Sequence, residues 1–173
     1  MTISRRRLLW AGGGLAALLP ALKRPALSAG IVEITMGGRD NGAHVWFDPI
    51  GVLVEPGQTI RWTNRDPGNS HTATAYHPRN DDRPQRMPQN AAPWNSDFLL
   101  PEESYSLTLT QPGVYDYYCI PHEHAGMVGR IVVGAPVKGG WTEDDRAGDL
   151  PEVALRAFPR VDEIMARGIV RRS

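Results

Sequence analysis

Between residues 31 and 133 apolar positions recur in short runs, each closed by turn-forming residues. Ile31–Met36 opens the series, and Val45-Trp46-Phe47 and Gly51–Val54 follow. Pro56-Gly57 then turns the chain into Gln58–Thr63, where Ile60 and Trp62 share a face as period-two alternation requires. Tyr105, Leu107 and Leu109 repeat the pattern within Ser104–Thr110. Pro112-Gly113 leads into Val114–Cys119, where Tyr115, Tyr117 and Cys119 point one way, and Val128–Val133 ends the run. Strand-sized segments separated by Pro-Gly turns predict an all-β fold, an antiparallel sandwich or barrel.

Residues 66–96 break this rhythm. Pro67, Pro78, Pro84, Pro88 and Pro93 stand among several Asn and Asp, so Thr72–Tyr76 reads as one strand and 78–96 as an ordered loop excursion. A loop of that length without regular structure is expected to cover something. After Gly134 the composition shifts again: Lys138-Gly139-Gly140 reads as a linker, and Glu143, Asp144 and Asp145 form an acidic run. Pro151 suits a first helical position, and Pro159 opens a second short helix ending before Gly168, with Val161, Ile164 and Met165 on one side. Residues 135–173 thus read as a partly helical C-terminal extension, too small for a core of its own. Its apolar stripe is expected against the sandwich, the alternative being a loose terminus.

Composition and charge narrow the class. Of 173 residues, 41 % are hydrophobic and 22 % charged, which argues against wholesale disorder. The single cysteine excludes an intrachain disulfide framework and a four-cysteine zinc site. The formal net charge of zero conceals an asymmetry, because residues 1–29 hold Arg5, Arg6, Arg7, Lys23 and Arg24 and no acid. Without them 14 basic residues face 19 acidic ones, a net charge of −5. That body has no electrostatic basis for binding nucleic acid or for lasting attachment to anionic lipid.

Residues 1–29 read as a signal peptide: a basic start, a small and apolar stretch, and Leu27-Ser28-Ala29 as the cleavage site. Ser4-Arg5-Arg6-Arg7-Leu8-Leu9 resembles a twin-arginine export signal. The alternative is a retained anchoring helix. Against a spanning helix, the apolar stretch from Leu8 to Leu22 holds 15 residues with three adjacent glycines and Pro20. The expectation is an exported periplasmic protein, with no stable membrane insertion of the mature chain. In an oxidising compartment a lone thiol must be buried, bonded or ligating a metal.

The chemistry concentrates in Cys119-Ile120-Pro121-His122-Glu123-His124-Ala125-Gly126-Met127, which puts a thiol, an imidazole and a thioether on one tight loop between two strands. A second imidazole, His71, opens the strand after the turn-rich residues 64–70. A sandwich can bring those two strand ends to one pole. Two imidazoles and a thiolate make a trigonal set, with the thioether as a weak axial ligand, and this mixture suits copper in both oxidation states. A two-histidine, one-cysteine zinc site is the chemical alternative, although zinc has no use for the methionine. The plainer readings are a buried thiol and a core methionine.

With Cys119, two residues, His122, four residues and Met127, the chain resembles the cupredoxins, the small type 1 blue copper proteins of the plastocyanin, pseudoazurin and halocyanin branches. The likeness runs roughly from Val45 to Gly134. It implies a Greek-key β-sandwich over residues 30–134, one type 1 copper ion on His71, Cys119, His122 and Met127, and transient redox partner proteins. Two features depart from the family, the residue after the upstream histidine and the long insert after Tyr76. Thr72 stands where Asn often follows the upstream histidine, which leaves the role of that side chain open, and Pro121 brings no N–H to the thiolate. The insert after Tyr76, with His77, Met87 and Trp94, resembles exported cupredoxins associated with copper tolerance.

The functional expectation is therefore one-electron transfer in the periplasm and no enzymatic activity. The alternative is copper handling or tolerance, in which binding is itself the task and His44, His77 or His124 forms a weaker second copper site. A third reading is an interaction sandwich with an incidental ligand set.

Overall fold

The computed structural model describes residues 30–135 and 150–172. The signal-peptide segment, the Lys138-Gly139-Gly140 linker and the acidic run at 143–145 lie outside them. Among the described residues nine strands and two α-helices follow one another: β1 (Val32–Arg39), β2 (His44–Asp48), β3 (Gly51–Val54), β4 (Gln58–Asn64), β5 (Thr74–Ala75), β6 (Ser104–Leu109), β7 (Gly113–Tyr118), β8 (Val128–Val133), α1 (Glu152–Ala157), α2 (Val161–Arg167) and β9 (Ile169–Val170). They build two packed sheets, β2-β1-β4-β6 and β5-β7-β8-β3-β9. The architecture is a cupredoxin-like sandwich with a short helical C-terminal segment.

The inward faces are those that alternation selects. Ile34 and Met36 on β1, Ile60 and Trp62 on β4, and Tyr115 and Tyr117 on β7 all join one buried cluster with Ile131 and Val133 of β8. At about 25 cal/mol per Å² of apolar surface removed from water, burial of these side chains is the main force closing the sandwich. The expected antiparallel pairing is incomplete. β1 runs parallel to β4, with Val32 opposite Ile60, and β3 runs parallel to β8, with Gly51 opposite Arg130. Each of these pairs joins strands distant in the chain, so no hairpin sets its direction.

Two further expectations are revised, and the excursion at 78–96 covers the core as its length implied. The strand expected at Thr72–Tyr76 shrinks to Thr74–Ala75; His71 pairs instead as an isolated bridge with Leu99, and Thr74 also bridges Asn95. The excursion at 78–96 sends Met87 and Trp94 into the main core, with the Trp94 ring 6.1 Å from that of Trp62. In α2 the expected apolar stripe is centred on Ile164, which is fully buried, while Met165 faces solvent. Val161, one turn before Ile164, packs partly buried against the same cluster, while Met165, rotated about 100° from Ile164, turns outward.

The second sheet is buried on both faces. Val114 and Val132 point away from the main core and pack against Ile164 and Val170, while Tyr118 and Val128 pack against Leu150 and Ala154. Among the described residues no helix is long and apolar enough to cross a membrane.

Candidate metal centre

Cys119 follows the last residue of β7 with extended backbone (φ −97°, ψ 119°), and Pro121 then bends residues 120–125 into a 3₁₀ turn. Gly126 ends that turn at φ 77°, a left-handed conformation that glycine adopts without steric cost. The loop is tied at its neck: the Cys119 N–H donates to the Met127 carbonyl at 3.0 Å, and the Met127 N–H to the His122 carbonyl at 3.1 Å. In the middle of the loop the buried Glu123 accepts the Tyr76 hydroxyl at 2.8 Å and pairs with Arg83 of the insert. The excursion therefore covers and braces the loop that carries the chemistry.

His71 comes from the opposite side, held by reciprocal backbone bonds to Leu99 of 3.1 and 2.8 Å. Its next neighbour resolves the question left by Thr72. The Thr72 N–H donates to Cys119 Sγ at 3.3 Å, and its hydroxyl oxygen accepts the Ile120 N–H at 2.9 Å. One residue thus bonds the sulfur and the backbone directly after it.

Three ligand atoms converge at this pole. His71 Nδ1 and His122 Nδ1 lie 3.2 Å apart, and Cys119 Sγ lies 3.6 Å from the first and 3.4 Å from the second. A point equidistant from the three is about 2 Å from each, the bond length of a metal ion to nitrogen or sulfur. Among the described His, Cys, Asp and Glu residues these three form the one group so placed. Two borderline imidazoles and a soft sulfur fit copper well. Cys119 and His71 are fully buried, and His122 is half-buried. Burial pushes the Cys119 thiol up to about 11 despite the N–H groups aimed at it, so a metal ion must displace a proton. Burial also lowers both histidines, which keeps a lone pair on each imidazole.

Met127, the fourth residue expected here, is fully buried beside Cys119 in the core. The surplus histidines stay apart. His124 and His44 are exposed, His44 lies 3.7 Å from Asp40, and His77 accepts the Arg79 N–H. No second cluster forms around them among the described residues. One residue that the sequence did not single out belongs to the site: the buried Asp66 carboxylate, 3.1 Å from His71 Nε2. Its Asp-Pro-Gly setting carries only the signal of a turn.

A two-sheet sandwich with a Cys–His–His centre at one pole is a metalloprotein of the cupredoxin class. The family model described as copper binding proteins, plastocyanin/azurin family, matches residues 32–134, and the chain belongs to that family. It is 34% identical over 153 residues to the pseudoazurin of Paracoccus pantotrophus, a match covering 88% of this chain and 92% of that one. It is 36% identical over 104 residues to the plastocyanin of Sambucus nigra, covering 59% of this chain and 99% of the other. The solved pseudoazurin of Hyphomicrobium denitrificans shares the fold, with a TM-score of 0.56 at 24% identity over 80% of this chain and 98% of that one.

Proposed function

We propose that this chain is a one-electron carrier of the periplasm that holds a single type 1 copper ion on His71 Nδ1, His122 Nδ1 and Cys119 Sγ, with the Met127 thioether as a weak axial ligand. The observation that carries this reading is the convergence of the three ligand atoms within 3.6 Å of one another. Copper bound there supplies the one-electron chemistry. The protein supplies rigidity: the tied loop, the Thr72 bonds and the Glu123–Tyr76–Arg83 brace keep the donor atoms in place across both oxidation states. His122 is the more exposed imidazole, so its edge is the exit toward transient redox partner proteins.

In this reading residues 1–29 are a signal peptide of the twin-arginine type, 30–134 the copper domain, and 135–173 a C-terminal extension whose described part, residues 150–172, packs on that domain. The chain carries electrons and catalyses no reaction. Purified mature protein is expected to take up one copper per chain, with an intense thiolate-to-copper band and reversible one-electron reduction. Cys119→Ser is expected to lose that band while keeping the sandwich by circular dichroism. A wild-type protein that binds copper without the band, or a variant that retains it, overturns the assignment.

A further inference from the structure

Several acids lie near the ligand residues, and Asp66 is the one whose carboxylate meets a ligand imidazole among the described residues. Asp66 is 3% exposed and lies in the turn between β4 and His71. Its Oδ1 accepts the Gly68 N–H at 3.0 Å, and its Oδ2 accepts the Asn69 side-chain amide at 2.9 Å and faces His71 Nε2 at 3.1 Å. The turn itself is anchored: Asn64 Oδ1 accepts the Asp66 N–H, and Asn64 Nδ2 donates to the carbonyls of Asn69 and Leu99. On the facing β1, Gly38 leaves the room the carboxylate needs, since a Cβ there would stand 1.7 Å from Oδ2.

The tautomer of His71 follows from this geometry. Nδ1 faces Cys119 and His122 and must offer its lone pair there, so the single proton of the neutral ring sits on Nε2. That N–H then donates to Asp66 Oδ2. A carboxylate on the far nitrogen of a ligand histidine fixes the ring and makes the near nitrogen more basic. It also places a negative charge in a water-poor setting, where Coulomb interaction is strong. Both effects favour the ion of higher charge.

We infer that Asp66 is a positioning residue of the copper centre, whose buried carboxylate holds the His71 imidazole in its ligating tautomer and stabilises the cupric over the cuprous state. The inference rests on the copper reading above. It makes Asp66 a determinant of potential that lies outside the set of four ligands.

Asp66→Asn removes the charge and keeps the shape. Cupric affinity is expected to fall about ten- to a hundredfold. Cuprous affinity is expected to fall less, so the potential rises by about 59 mV for each tenfold change in their ratio. Equal losses in both oxidation states with an unmoved potential overturn the inference and make Asp66 a purely structural anchor. The wild-type cuprous protein gives a second test that does not depend on the variant folding. Nitrogen-15 NMR is expected to show a slowly exchanging proton on His71 Nε2, and an unprotonated Nε2 overturns the inference. A wild-type protein without the thiolate–copper band defeats the functional reading instead, so the two failures are separable.

Discussion

Thr72 replaces a longer amide side chain and still makes two bonds at the centre, because its hydroxyl sits one bond from the β-carbon, close to the backbone of Ile120. The backbone N–H to the sulfur is indifferent to residue type, and the Ile120 bond needs only an oxygen in reach. Thr72→Val keeps the shape and strands the Ile120 N–H, at a cost of about 1–3 kcal/mol. Chemical denaturation of the copper-free chain measures that loss, and Thr72→Ser is expected to restore most of it. Met127 answers to a different property. As a weak axial donor it stabilises the cupric state slightly, so Met127→Leu is expected to raise the potential while the thiolate band persists. Voltammetry decides, and an unchanged potential and spectrum would place the thioether off the centre. At this scale Cys119 and His122 were legible because their spacing is set by a short loop, and His71 because it follows a turn at a strand mouth. Asp66 was not legible, since its role arises from a turn folding beneath Gly38, on a strand far upstream.

Among the elements, β7 shows what alternation can and cannot reveal. Its pattern correctly places Tyr115, Tyr117 and Cys119 in the sandwich, but it implies that Val114, Asp116 and Tyr118 face outward to water. Instead they are buried too, because the insert and the C-terminal helices cover that face. Asp116 is the charged residue in this position, and two arginines meet it there. Arg86 of the insert reaches it at 2.8–2.9 Å, and Arg130 of β8 at 2.7–3.1 Å. The Phe158 ring packs over both guanidinium groups, at 5.1 and 5.0 Å, and Arg130 donates to the Pro159 carbonyl. Insert, sheet and extension are thereby joined through one carboxylate. Removing one partner of such a buried group costs about 3–5 kcal/mol, so Asp116→Ala is expected to lower stability by that order, read from the denaturation midpoint. A loss below about 1 kcal/mol would mean that the three segments hold together without it.

For the whole molecule, the sheet order and the parallel pairs escaped the sequence because they join segments far apart in the chain, whereas the helical extension was visible in its prolines and apolar spacing. What the spacing could not tell is that its two helices do different work. α2 sets Ile164 into a cluster with Val114, Val132 and Val170, separate from the one that holds Cys119 and Met127. α1 sets Ala154 against Tyr76, Tyr118 and Val128, with Ile120 of the ligand loop at the margin. Tyr118 and Val128 each adjoin a proposed ligand in the chain, and Tyr76 holds Glu123. Stability should therefore be shared by both helices, and control of the centre confined to α1. Ile164→Ala leaves a cavity and is expected to cost about 2–5 kcal/mol, with the copper band unmoved. Ala154→Leu overfills a packed site and is expected to cost about 1–3 kcal/mol, and here the strain falls on the residues that flank the ligands. Its band should shift or broaden, and its rate of electron exchange should fall with it. Measuring the visible spectrum and the thermal midpoint of both variants separates the two helices. If Ile164→Ala disturbs the band as much as Ala154→Leu does, the extension acts on the centre as one body and the division fails.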